Sequence, residues 1–450
     1  MLILNGKIIT WDEPNQILEG QALLIRDGKI IKIGLEKELK QQYPGEETLD
    51  ANGQYVMPGN ICAHTHFYGA FARGMGIPGE PAKVFPEILA NLWFPLDDSL
   101  SLEDVKYSAY VGLIDAIRHG TTTMLDHHAS YSAIEGSLDE ISDAVDESGL
   151  RVALCYEVSD RGGAEKARAA IEENVRFINR VKKERPVEGR VAALFGLHAS
   201  LTLSEETLDA CRKAAPDDVG FHVHVAEHFS DEFDSLKKSG LRVIDRFQKH
   251  GLLGPRSVLA HGVHLDAKEI NILAETQTWL THQPRSNMNN GVGIGEVESQ
   301  MRAGVKVCLG NDGMGNAMWE EWKAAYFVHK LKYLDPRHMS GTDVVQMAVY
   351  NNQALVNTVF EGAPIGKIAE GAAADMIFVD YHPYTPLNAG NLPWQIIFGF
   401  HESMITTTIV AGEVLMRDRK LLTLDEEAIT AYAREKLVPE AWNRYQKKFA

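Results

Sequence analysis

The chain is poor in cysteine, with only Cys62, Cys155, Cys211 and Cys308 in 450 residues and no Cys-x-x-Cys pair. A chain of this length does not need covalent staples. Scattered single thiols therefore argue against a disulfide scaffold and for reduced cysteines in a cytoplasmic enzyme. No run of about 18 apolar residues is present, which leaves no candidate membrane span. The opening residues, Met1-Leu2-Ile3-Leu4-Asn5-Gly6-Lys7, lack the basic start and long apolar stretch of a secretory signal. Basic clusters are missing too. The 45 Lys and Arg are outnumbered by 62 Asp and Glu, for a formal net charge of −17. That balance disfavours nucleic acid and anionic membranes as partners, since both require clustered cations. What remains is an ordinary globular composition, 45% hydrophobic and 24% charged, long enough for a large core and about two domains.

The two ends of the chain read as β-structure. Residues 2–10 form a strand, an Asn5-Gly6 turn and a second strand, and residues 22–34 repeat the pattern with Asp27-Gly28. These strands are too few to stand alone. Partners of the same kind lie at 374–380 and 405–416. The expectation is a small β-sandwich domain built from residues 1–55 and 360–425, a larger domain inserted at 56–359, and a helical segment at 426–450.

The inserted region has a different rhythm. Apolar runs at 60–66, 121–126, 151–157, 191–198, 219–225, 257–261, 278–282 and 305–310 alternate with amphipathic stretches such as 102–119, 164–183, 204–215 and 243–250. Eight such alternations point to a (β/α)8 TIM barrel, with a doubly wound open sheet as the rival. Where the polar residues fall favours the barrel. Catalytic groups in a barrel sit at the C-terminal strand ends. The first run ends in His64-Thr65-His66, the fifth in His222-Val223-His224-Val225-Ala226-Glu227, the sixth in His261 and the eighth in Asp312. Residues i and i+2 of a strand share a face, so His64 and His66 leave the backbone in one direction. Neutral imidazole is a good ligand for zinc and other borderline metals.

This pattern resembles the amidohydrolase superfamily, in its branch of mononuclear-metal aminohydrolases. That branch holds cytosine, guanine and S-adenosylhomocysteine deaminases and the triazine chlorohydrolases. The likeness spans nearly the whole chain. It is closer still to SsnA-type aminohydrolases, through Asp126-His127-His128-Ala129-Ser130, Glu157-Val158-Ser159-Asp160-Arg161, His198-Ala199-Ser200 and Pro284-Arg285-Ser286-Asn287-Met288-Asn289-Asn290. The resemblance implies that His64, His66, His224 and Asp312 bind one divalent metal, zinc with iron as the alternative. It implies that Glu227 shuttles protons, that His261 assists the nucleophile, and that Asp312 accepts a proton from water. The implied reaction is hydrolytic deamination of a small nitrogen heterocycle, a purine, pyrimidine or related compound. Alternatives are a chloro- or alkylamino-heterocycle, a cyclic amide, or a non-catalytic binding homologue. His222 shares the face of His224 by strand period and stays open as a further ligand. A binuclear site bridged by Glu157 also stays open, although the fourth run has no Lys to carry a carbamate. Candidate substrate contacts are His198, Glu157, Arg161, Arg73 and Asn287. Glu157 and Arg161 have an alternative in pairing with each other, and Asn287 and Asn289 in stabilising a turn. His127 and His128 read as supporting residues and Trp93 as core. The expected partner is a small molecule, and by analogy the chain forms a homo-oligomer, as a dimer.

Overall fold

The computed structural model describes residues 1–184 and 189–450. Its centre is a ring of parallel strands, each followed by helix. The barrel strands are Asn60–Thr65, Thr121–His128, Arg151–Tyr156, a fourth in two pieces (Val191–Ala193 and Phe195–Ala199), Phe221–Val225, Val258–His261, Trp279–His282 and Val307–Leu309. Every neighbouring pair is parallel. The fourth strand breaks at Leu194, so its first piece pairs with strand three and its second with strand five. The ring closes where Thr65 bridges Asp312 and the carbonyl of His64 accepts from the backbone N–H of both Asn311 and Asp312 at 3.0 Å. Gly310 permits this approach, because a Cβ there would lie 2.8 Å from the His64 nitrogen. The chain is thus a (β/α)8 barrel.

The helices form where amphipathic spacing and caps coincide. Leu102–Arg118 starts at a capping box of Ser101 and Asp104, and Glu205–Ala214 starts at Ser204, whose side chain accepts from the Thr207 N–H. The lower end of the barrel is plugged by Leu355, Val356 and Phe360, which pack with inward residues such as Ile61, Ala63, Leu125, Ala153 and Trp279. The register of strand one slips between Cys62 and Thr65. Ile61 and Ala63 therefore pack into the apolar floor, and beyond the slip His64 and His66 face the axis. Bulges of this kind re-aim side chains at strand ends.

The β-strands from both termini form two sheets. One orders Lys29–Leu35, Gln21–Arg26, Leu2–Leu4 and Thr48–Asp50. The other orders Lys420–Leu421, Glu413–Arg417, Ile405–Val410, Met376–Val379, Tyr55–Pro58, Lys7–Ile9 and Ile17–Leu18. Tyr55–Pro58 carries the second sheet past the expected boundary at 55. Ile3, Leu23, Val56, Met376, Phe378 and Ile409 fill the space between the sheets. The Asp27-Gly28 hairpin forms, with φ of 49° and 74° at its two turn residues. The Asn5-Gly6 hairpin does not. Leu2–Leu4 pairs within the first sheet and Lys7–Ile9 within the second, so this dipeptide is a corner between layers. The Gly6 α-carbon sits where a Cβ would meet Val56 at 2.6 Å. Close packing of the layers, not hairpin geometry, selects glycine here.

The C-terminal helices Glu426–Tyr432 and Val438–Gln446 pack outside the barrel. Trp442 Nε1 donates to the Phe71 carbonyl at 2.8 Å and Arg444 Nε to that of Ser99 at 2.7 Å, tying down the segments after strand one. No helix among the described residues is long and apolar enough to cross a membrane.

The barrel and the β-domain are joined by a buried ion pair, Arg151 Nε to Asp375 Oδ2 at 2.6 Å, and Asp375 also accepts from the Ala411 N–H at 2.7 Å. Removing one member leaves the other charge buried and alone. Arg151→Met is expected to destabilise the protein by about 3–5 kcal/mol. Arg151→Met combined with Asp375→Leu is expected to recover much of that loss, as read by urea unfolding.

Candidate metal centre and active site

Four donor groups converge at the mouth of the barrel. His64, His66, His224 and Asp312 each place a ligand atom within 4.8 Å of the others. His66 Nε2 lies 3.0 Å from Asp312 Oδ1 and 3.1 Å from His224 Nε2, and His64 Nε2 lies 3.4 Å from Asp312 Oδ1. Ligands held tetrahedrally at about 2.0–2.1 Å from a zinc ion stand roughly 3.3 Å apart, so these separations fit one such ion. His64 Nε2 is buried with no hydrogen-bond partner. A bare imidazole nitrogen without water or protein partner costs free energy, and a bound cation removes that cost.

Each imidazole is oriented from behind. His66 Nδ1 donates to the His127 carbonyl at 2.5 Å and His224 Nδ1 to the His198 carbonyl at 2.7 Å. In the neutral rings both Nε2 atoms are thereby left as lone pairs toward the axis. His64 Nδ1 lies 2.9 Å from His222 Nε2, and His222 Nδ1 lies 3.8 Å from Cys155 Sγ. His222 is therefore one layer deeper than the cluster, on the same face as His224, and supports His64 from below.

Asp312 is held in place by backbone and side chain together. Its φ is 58°, and Ala226 and His261, at the ends of strands five and six, have φ of 45° and 76°. Non-glycine residues in this region store about 1–3 kcal/mol each, and such strain concentrates at functional sites. Asp312 Oδ2 accepts from Ser286 Oγ at 2.5 Å. His261 Nδ1 lies 2.9 Å from Asn287 Oδ1, and its buried Nε2 has no hydrogen-bond partner, lying 3.6 Å from Glu227 Oε2 and 3.8 Å from Asp312 Oδ2. Glu227 Oε1 accepts from Asn290 Nδ2 at 3.4 Å.

Ser286, Asn287 and Asn290 all lie on Pro284–Asn290, which is a helix and not the turn its asparagines suggest. Ser286 and Asn290 are one helical turn apart, so they share a face. That spacing was the only signal in the sequence for their roles. Asn287 is fully buried and does not line the cavity; its side chain serves His261.

Burial sets the protonation pattern. It pushes His64 down to about 3 and Glu227 up to about 7. At His66 burial also opposes the charge, but the hydrogen bond and negative charge of Asp312 outweigh it and raise the group to about 9. Burial lowers His198 to about 4.

These groups open into a cavity of about 380 Å³. One wall is apolar, made of Phe85, Leu89, Leu92, Trp93 and Phe94, so Trp93 faces the cavity instead of packing only as core. Glu157, His198 and Asn289 line it, and exposed Arg73 lies at its rim. Arg161 does not line it. Its guanidinium donates to Asp97 and lies 3.8 Å from the Tyr131 ring centre and 4.3 Å from that of Phe94. The Glu157–Arg161 pair, the alternative to substrate contact, is not made, because Asp97 and two ring faces hold the arginine. Glu157 pairs with His127 at 3.0 Å instead. His128 Nε2 bonds Ser130 Oγ at 2.9 Å, away from the cluster.

Asp312→Asn is expected to lower the content of bound divalent metal to below about one tenth of wild type by elemental analysis, with the fold retained. His222→Ala, which removes the support behind His64, is expected to weaken divalent-metal binding about 10–100-fold in a chelator competition. A cation must displace the proton that neighbouring Asp312 favours on His66, so its affinity is expected to rise with pH through neutrality.

Comparison with known proteins follows this geometry. A curated 5-methylthioadenosine/S-adenosylhomocysteine deaminase of Haloarcula marismortui is 32% identical over 443 residues, 97% of each chain. A 5′-deoxyadenosine deaminase of Methanosarcina mazei is 29% identical over 440 residues, again 97% of each. Among solved structures, a zinc-bound adenosine deaminase from Xanthomonas campestris superposes with a TM-score of 0.85 at 20% identity, covering 99% of this chain and 98% of that one. The zinc complex of atrazine chlorohydrolase from Arthrobacter aurescens superposes with a TM-score of 0.83 at 21% identity, covering 97% and 100%. The sequence profile of the amidohydrolase family matches residues 55–415. A profile match over most of the chain, a barrel with a sandwich at its side, and a His-His-His-Asp cluster at its mouth lead to one conclusion: the chain belongs to the amidohydrolase family.

Proposed function

We propose that this protein is a metal-dependent aminohydrolase that removes the exocyclic amino group of a purine-like heterocycle, most directly a 5′-substituted adenosine, with release of ammonia. One observation carries the reading. Glu227, His261 and Asp312 converge from the ends of strands five, six and eight onto one small volume beside the ligand cluster. The relatives named as deaminases of adenosine derivatives support the substrate class. The metal we assign is a single zinc ion on His64, His66, His224 and Asp312. Iron is the other ion these donors suit. The four cysteines are buried and unpaired, which supports a reducing, cytoplasmic setting.

When bound, such an ion supplies positive charge that lowers the pKa of a water toward about 7. The protein's own groups do the rest. Water adds to the amino-bearing carbon, the carbon–nitrogen bond breaks, and a carbonyl and ammonia result. Asp312 is placed to take the first proton, with its Oδ2 fixed by Ser286. His261, anchored by Asn287, orients the attacking oxygen through its bare Nε2. Glu227, raised by burial to about 7, can both accept and return a proton at neutral pH. Entering protonated, it donates to the ring nitrogen, takes the second proton from the added oxygen and delivers it to the leaving amine, and the proton held by Asp312 then returns to Glu227.

Metal-loaded protein should release ammonia from at least one of 5′-deoxyadenosine, 5′-methylthioadenosine, adenosine, guanine and cytosine. Ammonia from none of them, with metal bound, would shift the reading to a chloro- or alkylamino-heterocycle or a cyclic amide. Glu227→Gln is expected to cut kcat by about 10²–10⁴-fold with metal content unchanged; full-rate turnover would remove Glu227 from the proton path. Because Glu227 must carry a proton to donate to the ring nitrogen, kcat/KM should fall as pH rises through a limb near 7.

A further inference from the structure

We propose that the C-terminal helix Val438–Gln446 is a positioning element of the active site: Trp442, Tyr445 and Gln446, which do not line the cavity, hold its apolar wall in place and thereby set how tightly a substrate binds. This inference rests on the deaminase reading above, in which the cavity takes the substrate, and adds to that site three residues from the far end of the chain.

The wall is built by the segment after strand one. Residues 73–84 contain Gly74, Gly76, Pro78, Gly79 and Pro81, are mostly exposed, and form neither helix nor strand. Gly74 and Gly79 hold φ of 77° and 86°. The chain then makes three short helical pieces in succession, Phe85–Ile88, Leu89–Trp93 and Phe94–Asp97. Their Leu89, Leu92, Trp93 and Phe94 face the cavity. The front of the wall has few anchors. Phe85 and Leu89 pack with Val263 and Val292, from the loops after strands six and seven. The Trp93 ring meets Tyr68 edge to face, with centroids 6.0 Å apart. A Cβ placed on Gly313 would lie 3.5 Å from Trp93, so the wall reaches the neighbour of Asp312. A segment so short of regular hydrogen bonds has little stability of its own.

The back of the wall is held by one helix face. Trp442, Tyr445 and Gln446 are spaced i, i+3 and i+4, so they lie together. Trp442 Nε1 donates to the Phe71 carbonyl at 2.8 Å, the Tyr445 hydroxyl to that of Asn91, and Gln446 Nε2 to that of Gly76 at 3.0 Å. The three acceptors run from the start of the segment to the middle of the wall. The Asn91 carbonyl has a particular need of a donor. Its α-helical donor would come from residue 95, which is a proline and has no N–H. The Gln446 amide is the one side-chain donor that reaches a carbonyl of residues 73–84 among the described residues.

The described lining of the cavity runs no further along the chain than Asn316, so these three side chains act on a ligand only through the wall's backbone. Asn91 lies between Leu89 and Leu92, and a shift of its carbonyl carries their side chains with it. A gap of about 0.5–1 Å between packed surfaces forfeits a quarter to a half of their dispersion attraction. The groups placed for chemistry are held differently. His64 is backed by His222, Asp312 by Ser286, His261 by Asn287 and Glu227 by Asn290. None of these bonds involves the wall or the C-terminal helix. Loss of the anchors is therefore felt in substrate binding, with the chemistry and the ligand cluster left intact.

The test uses metal-loaded full-length protein. It reads hydrogen exchange of residues 67–99 by mass spectrometry, metal content, kcat and KM by ammonia release from 5′-methylthioadenosine and adenosine, and binding of the same two compounds by calorimetry. Tyr445→Phe and Gln446→Ala each delete one donor. Together they are expected to raise KM about 5–20-fold, with kcat within about twofold and metal content unchanged. Exchange should quicken in residues 73–94 and not in the barrel strands. Gln446→Ala alone, at an exposed position, is expected to raise KM about threefold and serves where the double variant does not fold. Asn443→Ala, on the exposed side of the same helix, is expected to match wild type. Unchanged KM and unchanged exchange overturn the proposal. So does a double variant that loses metal or kcat at unchanged KM, because the helix would then support the barrel as a whole. Binding weakened about 5–20-fold in the double variant, without ammonia from any compound, leaves the anchor standing and removes the deaminase reading. Ammonia release with KM unchanged removes the anchor alone.

Discussion

The site depends on the closure of the barrel between its first and last strands. The His64 carbonyl accepts two backbone N–H groups from residues 311 and 312, and Thr65 bridges Asp312. Two imidazoles and the carboxylate that must face them, far apart in the chain, are thus fixed by the same few hydrogen bonds that shut the ring. The need for close approach explains Gly310. The need to turn the carboxylate back toward the axis explains the positive φ of Asp312. If strand eight moved off strand one, the cluster of His64, His66, His224 and Asp312 would lose its carboxylate and the bridge at once.

Around this closure the protein keeps imidazoles neutral and aimed. Backbone carbonyls of His127 and His198 take the Nδ1 protons of His66 and His224. His64 is backed instead by a second imidazole, His222. Burial disfavours the charged form of each ring. Only His66, beside Asp312, resists that trend. The same economy of support appears in the short helix Pro284–Asn290, which reaches Asp312, His261 and Glu227 through three side chains. These three groups come from different strands, and one rigid element keeps their spacing common.

Side chains from strands three, four, five, six and eight line the cavity above. Loop residues after strand one, including Trp93 and Phe94, form the apolar wall. The C-terminal helices hold that region through Trp442 and Arg444. The β-domain is linked to the barrel wall through Arg151 and Asp375.

The sequence by itself determined the repeat of strand and helix, because hydrophobic periodicity is a local property. It also placed imidazole or carboxylate at the ends of the first, fifth, sixth and eighth runs. His64, His66, His224, Glu227, His261 and Asp312 were legible for that reason: each lies at a strand end, and strand ends in a closed barrel share one mouth. Only the tertiary structure decided which groups those residues lean on. Ser286 and Asn290 became partners of Asp312 and Glu227 because residues 284–290 form a helix, where local composition suggested a turn. Arg161 is held by Asp97 and two aromatic faces, Tyr131 and Phe94, both brought from segments after other strands. Asn5-Gly6 became a corner because its flanking strands found better partners in separate sheets. In each case the partner lies tens of residues away in the chain, beyond the reach of a local pattern.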